Sequence, residues 1–237
     1  MSGKSKIEWT ESTWNPVTGC SPMSEGCQHC YAARFAKRLQ AMGNPRYKNA
    51  FEVTVHDDLI SLPLSLKKPQ MIFVNSMSDL FHEKVSDDVI KRIFMTMNAT
   101  PQHTYQILTK RAERLSQLSP ELIWSDNIWM GVSIENEDVI FRADFLRRTG
   151  AHIKFISAEP LLSSLDELSL EEIDWLIVGG ESGPGSRPML EEWVLTLKEK
   201  AEDAGTAFFF KQWGGTNKKK AGSLLQGKSY KAYPPEK

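Results

Sequence analysis

A single α/β domain around a mainly parallel sheet is the fold this sequence predicts, and three observations predict it. Short apolar runs alternate along the chain with longer amphipathic ones. The runs are apolar at nearly every position, as strands buried on both faces are. Each run also stops at a polar cluster, and in a barrel or an open α/β sheet ligands bind at that carboxyl edge.

The expected strands are MIFVNS (71–76), YQILTK (105–110), IWMGVS (128–133), IKFISA (153–158), WLIVGG (175–180) and AFFFKQ (207–212). Each is about one strand long and rich in β-branched or aromatic residues. A further strand is expected at IEW or NPVTG, just before Cys20. Between strands, SDDVIKRIFMTMNA opens on the N-cap candidate Ser86, has two acids in its first turn and carries apolar residues at 3-4 spacing. LEEWVLTLKEKAEDAG repeats the pattern and stops at Gly205, a helix-ending residue. Met77, Met95, Met97 and Met130 read as core fillers.

At the strand ends stand Ser76, Ser78 and Asp79; then Lys110 and Arg111; then Ser133, Glu135 and Asn136. Glu159 follows the fourth run, Glu181 and Ser182 the fifth, and Lys211, Gln212 and Trp213 the sixth. These residues are expected to converge on one mouth. Gly179–Gly185 reads as a tight turn or, less directly, a phosphate loop, because it lacks the GxGxxG form.

With 237 residues, 41% hydrophobic and 25% charged, the chain has the composition of a globular protein with a full core. The opening MSGKSKIEWTESTW has no apolar h-region, and no segment nears the roughly 18 apolar residues of a membrane span, so a cytoplasmic location without membrane contact is expected. The net charge of −1 gives no global field for nucleic acid; the chain end is locally basic, with Lys218, Lys219 and Lys220 in a row.

All three cysteines, Cys20, Cys27 and Cys30, fall within eleven positions. An odd number at x6 and x2 spacing is a poor disulfide framework, so metal binding or catalysis leads. A [4Fe-4S] cluster on three thiolates leaves one iron open. Structural zinc needs a fourth ligand, from His82, His103, His152 or His29. A redox CxxC leaves Cys20 unexplained. Trp9 and Trp14 flank the loop and are expected to shield it, and Trp213 either stacks on a base or packs.

A three-cysteine loop opening into YAARFAKRL and followed by βα units resembles the radical S-adenosylmethionine (SAM) superfamily. The phrases WNPVTGC, GCxxCYA, NSMSDLFH, ILTKR, GVSIEN, SAEPLL, GGESGP and KQWGG resemble a phage and prophage family of uncharacterised radical-SAM-like proteins. Two features depart from the wider superfamily: the first cysteine gap is six residues rather than three, and His29 stands where an aromatic is usual. The resemblance implies a single full or partial parallel (β/α) barrel of the radical SAM type over residues 1–214, with a basic extension over 215–237. It implies a [4Fe-4S] cluster on Cys20, Cys27 and Cys30, and SAM as the second cofactor. Ser76, Ser78 and Asp79 would meet the SAM ammonium, Lys110 its carboxylate, Ser133 or Glu135 the ribose, and His29 the adenine. Glu159, Glu181 and Lys211, with Arg187 and Trp213, are left for substrate and catalysis. The implied reaction is reductive SAM cleavage to a 5′-deoxyadenosyl radical that takes hydrogen from a substrate, a nucleobase or nucleotide being favoured. It requires an electron donor. The alternatives are a zinc- or cluster-stabilised module that binds nucleic acid or protein without catalysis, and a hydrolase using Glu159 and Glu181 as a carboxylate pair.

Overall fold

In the computed structural model the chain is described over residues 3–5, 7–216 and 221–235, so the lysine run 218–220 lies outside the described residues. Seven parallel strands form one sheet: β2 (Ser12–Trp14), β5 (Met71–Val74), β6 (Thr104–Thr109), β7 (Ile128–Ser133), β8 (Ile153–Ala158), β9 (Trp175–Gly179) and β10 (Ala207–Gln212), neighbours in that order. β1 (Gly3–Lys4) adds antiparallel to β2. A separate hairpin pairs β3 (Val17–Thr18) with β4 (Thr54–Val55). Six strands match the apolar runs read from sequence within two residues at each end. The seventh differs: β2 lies between IEW and NPVTG, and only the two-residue β3 falls inside NPVTG.

The helices are α1 (Tyr31–Ala41), α2 (Asp57–Ile60), α3 (Asp87–Asn98), α4 (Ala112–Leu118), α5 (Arg142–Arg147) and α6 (Glu191–Ala204). Ser86 caps α3, its hydroxyl accepting from Val89 N–H at 3.4 Å. Gly205 ends α6 at φ +68°. Between β8 and β9 the crossover has no α-helix; an irregular stretch starting at Pro160 covers the sheet with buried Leu161, Leu165, Leu168, Leu170 and Ile173. Proline early in the connection and paired serines at 163–164 disfavour a helix there.

Alternation along the strands divides the core in two. Ile72, Val74, Ile107, Met130, Val132, Ile156, Leu176, Val178 and Phe210 pack outward under the helices. Phe73, Phe155, Trp175, Ile177 and Phe209 point inward around Trp9. Trp9 stacks edge-on to Phe73 at 4.6 Å, and Trp14 donates its indole N–H to Leu59 O at 2.7 Å in the outer core. Both tryptophans are therefore core residues, not shields of the cysteine loop. Met77, Met97 and Met130 are buried as expected, whereas Met95 is 66% exposed on the outer side of α3.

The sheet curls without closing, because no ladder joins β10 to β2. Irregular chain fills the gap. Tyr230 O accepts from Phe210 N–H at 2.9 Å, and Ala232 N–H donates to Phe208 O at 3.2 Å. Lys231 pairs with Glu8 at 2.7 Å, and the Tyr233 ring lies 5.0 Å from Trp175. The edge backbone of β10 is thus paired rather than left open.

Candidate cluster and cofactor mouth

The cysteine loop leaves β3 at the carboxyl edge of the sheet and has only one short 3-10 turn, Glu25–Cys27, before α1. So irregular a segment must be fixed from outside, and side chains at the ends of the neighbouring strands fix it. The segment after β5 is knitted to the one before Cys20: Asn15 Oδ1 accepts from Ser76 Oγ at 3.1 Å and Met77 N at 3.0 Å, and Ser78 Oγ donates to Val17 O at 2.8 Å. Gly19 N–H donates to Met77 O at 2.9 Å. A Cβ at Gly19 would lie 2.1 Å from Glu52 O, so only glycine fits this crossing.

Buried Asp79 accepts from Thr109 Oγ1 at 2.6 Å, Lys110 N at 3.1 Å and Arg111 at 3.2 Å. Arg111, also buried, reaches Glu83 at 2.9 Å, Ser21 Oγ at 3.1 Å and Cys20 Sγ at 3.6 Å. Burial, helped by the charge of Asp79, pushes the Cys20 thiol up to about 11 despite the neighbouring guanidinium.

Glu135 is fully buried at the end of β7. It accepts from Lys110 Nζ at 3.1 Å, Arg142 at 2.9 Å, Gly26 N at 3.3 Å and the hydroxyl of Ser24. Burial would raise its pKa, but Lys110, Arg142 and the Ser24 bond together hold it below the usual carboxylate value. Glu181, at the end of β9, accepts from His29 Nδ1 at 3.0 Å and from Arg187 at 2.6 Å and 3.0 Å. Burial again acts upward, yet Arg187 and His29 hold it at about 2, so it keeps no proton for acid catalysis near neutrality. Arg187 also contacts Glu25 at 3.2 Å, the first residue of the short turn.

Glu159 pairs with Lys211 at 2.9 Å; the parallel register slips between Phe210 and Gln212, making Lys211 the extra residue. Glu159 Oε1 and Ser157 Oγ are buried without hydrogen-bond partners among the described residues. Ser133, beside Ser157 in the register, is buried. In the Gly179–Gly185 turn, a Cβ at Gly180 would stand 2.0 Å from Trp213 O, so close packing of two loops accounts for that glycine. Trp213 itself packs on Phe210 at 4.9 Å and donates to Leu224 O at 2.8 Å.

The site residues read from sequence therefore gather at one edge, but several are already engaged: the Ser76 and Ser78 hydroxyls tie two loops together, and Glu135 and Glu181 hold the cysteine loop. Arg111 and Arg142 went unassigned in the sequence. Arg111 sat within a strand-end cluster, a usable signal; Arg142, inside α5, gave none. All three cysteines are free and partly exposed. No three or more His, Cys, Asp or Glu side chains among the described residues are gathered ready for a metal ion. His103 and His152 precede β6 and β8, at the opposite edge of the sheet. His82 and His29 contact Ser21 and Glu181. No helix among the described residues is long and apolar enough to cross a membrane.

A family described as a protein of unknown function (DUF5131) matches residues 4–234. No curated protein matches. Among solved structures, spore photoproduct lyase complexed with dinucleoside spore photoproduct is similar at TM-score 0.53 and 14% identity, covering 86% of this chain and 64% of that one. A mutant of that lyase with bound AdoMet and dinucleoside spore photoproduct gives TM-score 0.55 at the same identity and the same coverage of 86% and 64%. This chain thus spans under two thirds of the lyase, and the likeness is one of fold: a single α/β domain with a curled, partial parallel barrel.

Proposed function

The chain belongs to the DUF5131 family, and from its cysteine loop we propose that it is a radical SAM enzyme acting on a nucleobase or nucleotide. One observation carries the reading: a loop holding all three free thiols is clamped over the strand ends by Arg111 on Cys20, Glu135 on Gly26, and the Glu181–Arg187 pair on His29 and Glu25. A loop kept largely without regular structure at the carboxyl edge, at the expense of two buried charge pairs and a partly buried third, is hard to account for as scaffold alone.

The donor set fits a [4Fe-4S] cluster. Zinc needs a fourth ligand at about 2.0–2.3 Å; His103 and His152 lie at the far edge, and His82 and His29 are hydrogen-bonded to Ser21 and Glu181. Three thiols with no fourth suit a cluster with one open iron. Cys20, Cys27 and Cys30 would hold it, and when bound it would supply the electron for reductive cleavage of SAM to a radical that abstracts hydrogen. The chain's own residues do the rest. Arg111 sets Cys20 in place and offsets thiolate charge. Glu135 fixes Ser24 and Gly26, and in this reading its partner Lys110 would meet the SAM carboxylate, Ser133 the ribose and His29 the adenine; Ser76, Ser78 and Asp79, read from sequence as ammonium contacts, instead hold the neighbouring loops through Asn15, Val17, Thr109 and Arg111. The Glu159–Lys211 pair would serve the substrate in this reading, with Glu181 positioning His29. The solved lyase mutant with bound AdoMet and dinucleoside spore photoproduct supports this choice of cofactor and substrate class. An electron donor is the further partner required, and a cytoplasmic location suits reduced thiols.

The test is iron and acid-labile sulfide after anaerobic reconstitution, with electron paramagnetic resonance of the reduced protein with and without SAM. About four irons per chain and a signal altered by SAM are expected, both lost in Cys27→Ala. Stoichiometric zinc without a SAM response would replace this reading with the metal-stabilised binding module.

A further inference from the structure

Helix α1 is amphipathic the wrong way round for its burial. Its inward face is Ala32 and Ala36, which pack with Leu39, Tyr47 and Met77. Its larger apolar residues face solvent: Tyr31 is 53% exposed, Phe35 47%, and Met42, just beyond its end, 69%. Arg34 and Arg38 alternate with them at three- and four-residue spacing, so Tyr31, Arg34, Phe35, Arg38 and Met42 make one stripe. The helix has no acid, and residues 31–51 hold five cations (Arg34, Lys37, Arg38, Arg46 and Lys48) and no Asp or Glu, in a chain of net charge −1. Burial does not explain such a stripe, and a plain solvated face does not need its aromatics.

The stripe also has a direction. Tyr31 O–H donates to Ser76 O at 2.6 Å and Arg34 to Ser182 O at 3.0 Å, so its first turn forms the rim of the mouth between the ends of β5 and β9. Phe35, Arg38 and Met42 lead away from it.

We propose that α1 is a docking surface for single-stranded nucleic acid, with bases stacking on Phe35 and Tyr31 and phosphates on Arg34, Lys37 and Arg38. Charge complementarity selects a polyanion, and exposed aromatics between the cations select one with free base faces, which a duplex hides. Only the direction, a strand led into the mouth, rests on the proposed nucleotide chemistry; the contact itself does not.

The test is fluorescence anisotropy of a labelled 12-nucleotide single strand against the full chain, both reconstituted and with all three cysteines changed to serine. Both forms are expected to bind, so a failure of the cluster reading leaves this result standing. Phe35→Ala is expected to weaken binding about tenfold. Arg38→Glu and Lys37→Glu are each expected to weaken it and to lower the slope of log affinity against log salt by about 0.7 per lost phosphate contact. Circular dichroism melting of each variant is expected to match the parent, since these side chains are exposed. No binding by the parent, unchanged affinity in Phe35→Ala and Arg38→Glu, or displacement by poly-glutamate as effective as by unlabelled strand would overturn the proposal.

Discussion

Glu135 joins three separate parts of this site, because a carboxylate without exposed surface must be paired on every side. Its partner Lys110 directly follows β6 and Arg142 opens α5, and Gly26 and Ser24 belong to the cysteine loop. Removing its charge leaves the guanidinium of Arg142, itself 3% exposed, without a counter-charge. Breaking one side of a buried pair costs about 3–5 kcal/mol. Glu135→Gln is therefore expected to lower stability by that order in urea unfolding, and to hold less iron after reconstitution even at temperatures where it is folded. Parent-like unfolding would show that the pair is solvent-screened. That Glu135 stands at the carboxyl edge of the sheet was legible from its place after IWMGVS; that it anchors the loop was not, since Arg142 lies seven residues on inside a helix and only the fold turns it back.

Strands β7 and β8 show how tightly the elements under the mouth are set. Gly131 faces Phe155 in the register, and a Cβ there would lie 2.4 Å from the phenyl ring. Adding a methyl to so close a contact costs about 1–3 kcal/mol. Gly131→Ala is expected to lose that much stability, and Gly131→Ala with Phe155→Leu to recover part of it, a coupling that denaturant titration of the two singles and the double measures. Additive losses would mean that ring and glycine do not share the space. The elements whose signals are local were read from sequence: α3 from Ser86 and its acids, α6 from Gly205. The connection between β8 and β9 was not, because its leucines mimic amphipathic spacing while Pro160 and the serines decide against a helix. Trp9 and Trp14 were misplaced for a related reason: nearness in sequence to the cysteines says nothing of which side of the sheet a side chain takes.

At the scale of the whole molecule the curled sheet depends on its last residues. Tyr230 to Tyr233 pair with β10, cover Trp175 and reach Glu8 across the gap. Truncation after Gln226 would bare a strand edge and the aromatic interior together. The shortened protein is expected to melt at a lower temperature and to self-associate in light scattering, as open edges do. A monomer of parent stability would show that the end segment is dispensable to the barrel.

The sequence by itself determined the parallel α/β order, the strand ends where polar and charged side chains gather and the three-thiol loop, because hydrophobic period, caps and cysteine spacing are properties of neighbours along the chain. Tertiary structure alone decided that Arg111 meets Cys20, that Glu135 and Glu181 hold the loop rather than stand free, and that the barrel is completed by irregular chain. Those contacts join residues some 90 to 220 positions apart, and only the curl of the sheet brings them within hydrogen-bond reach.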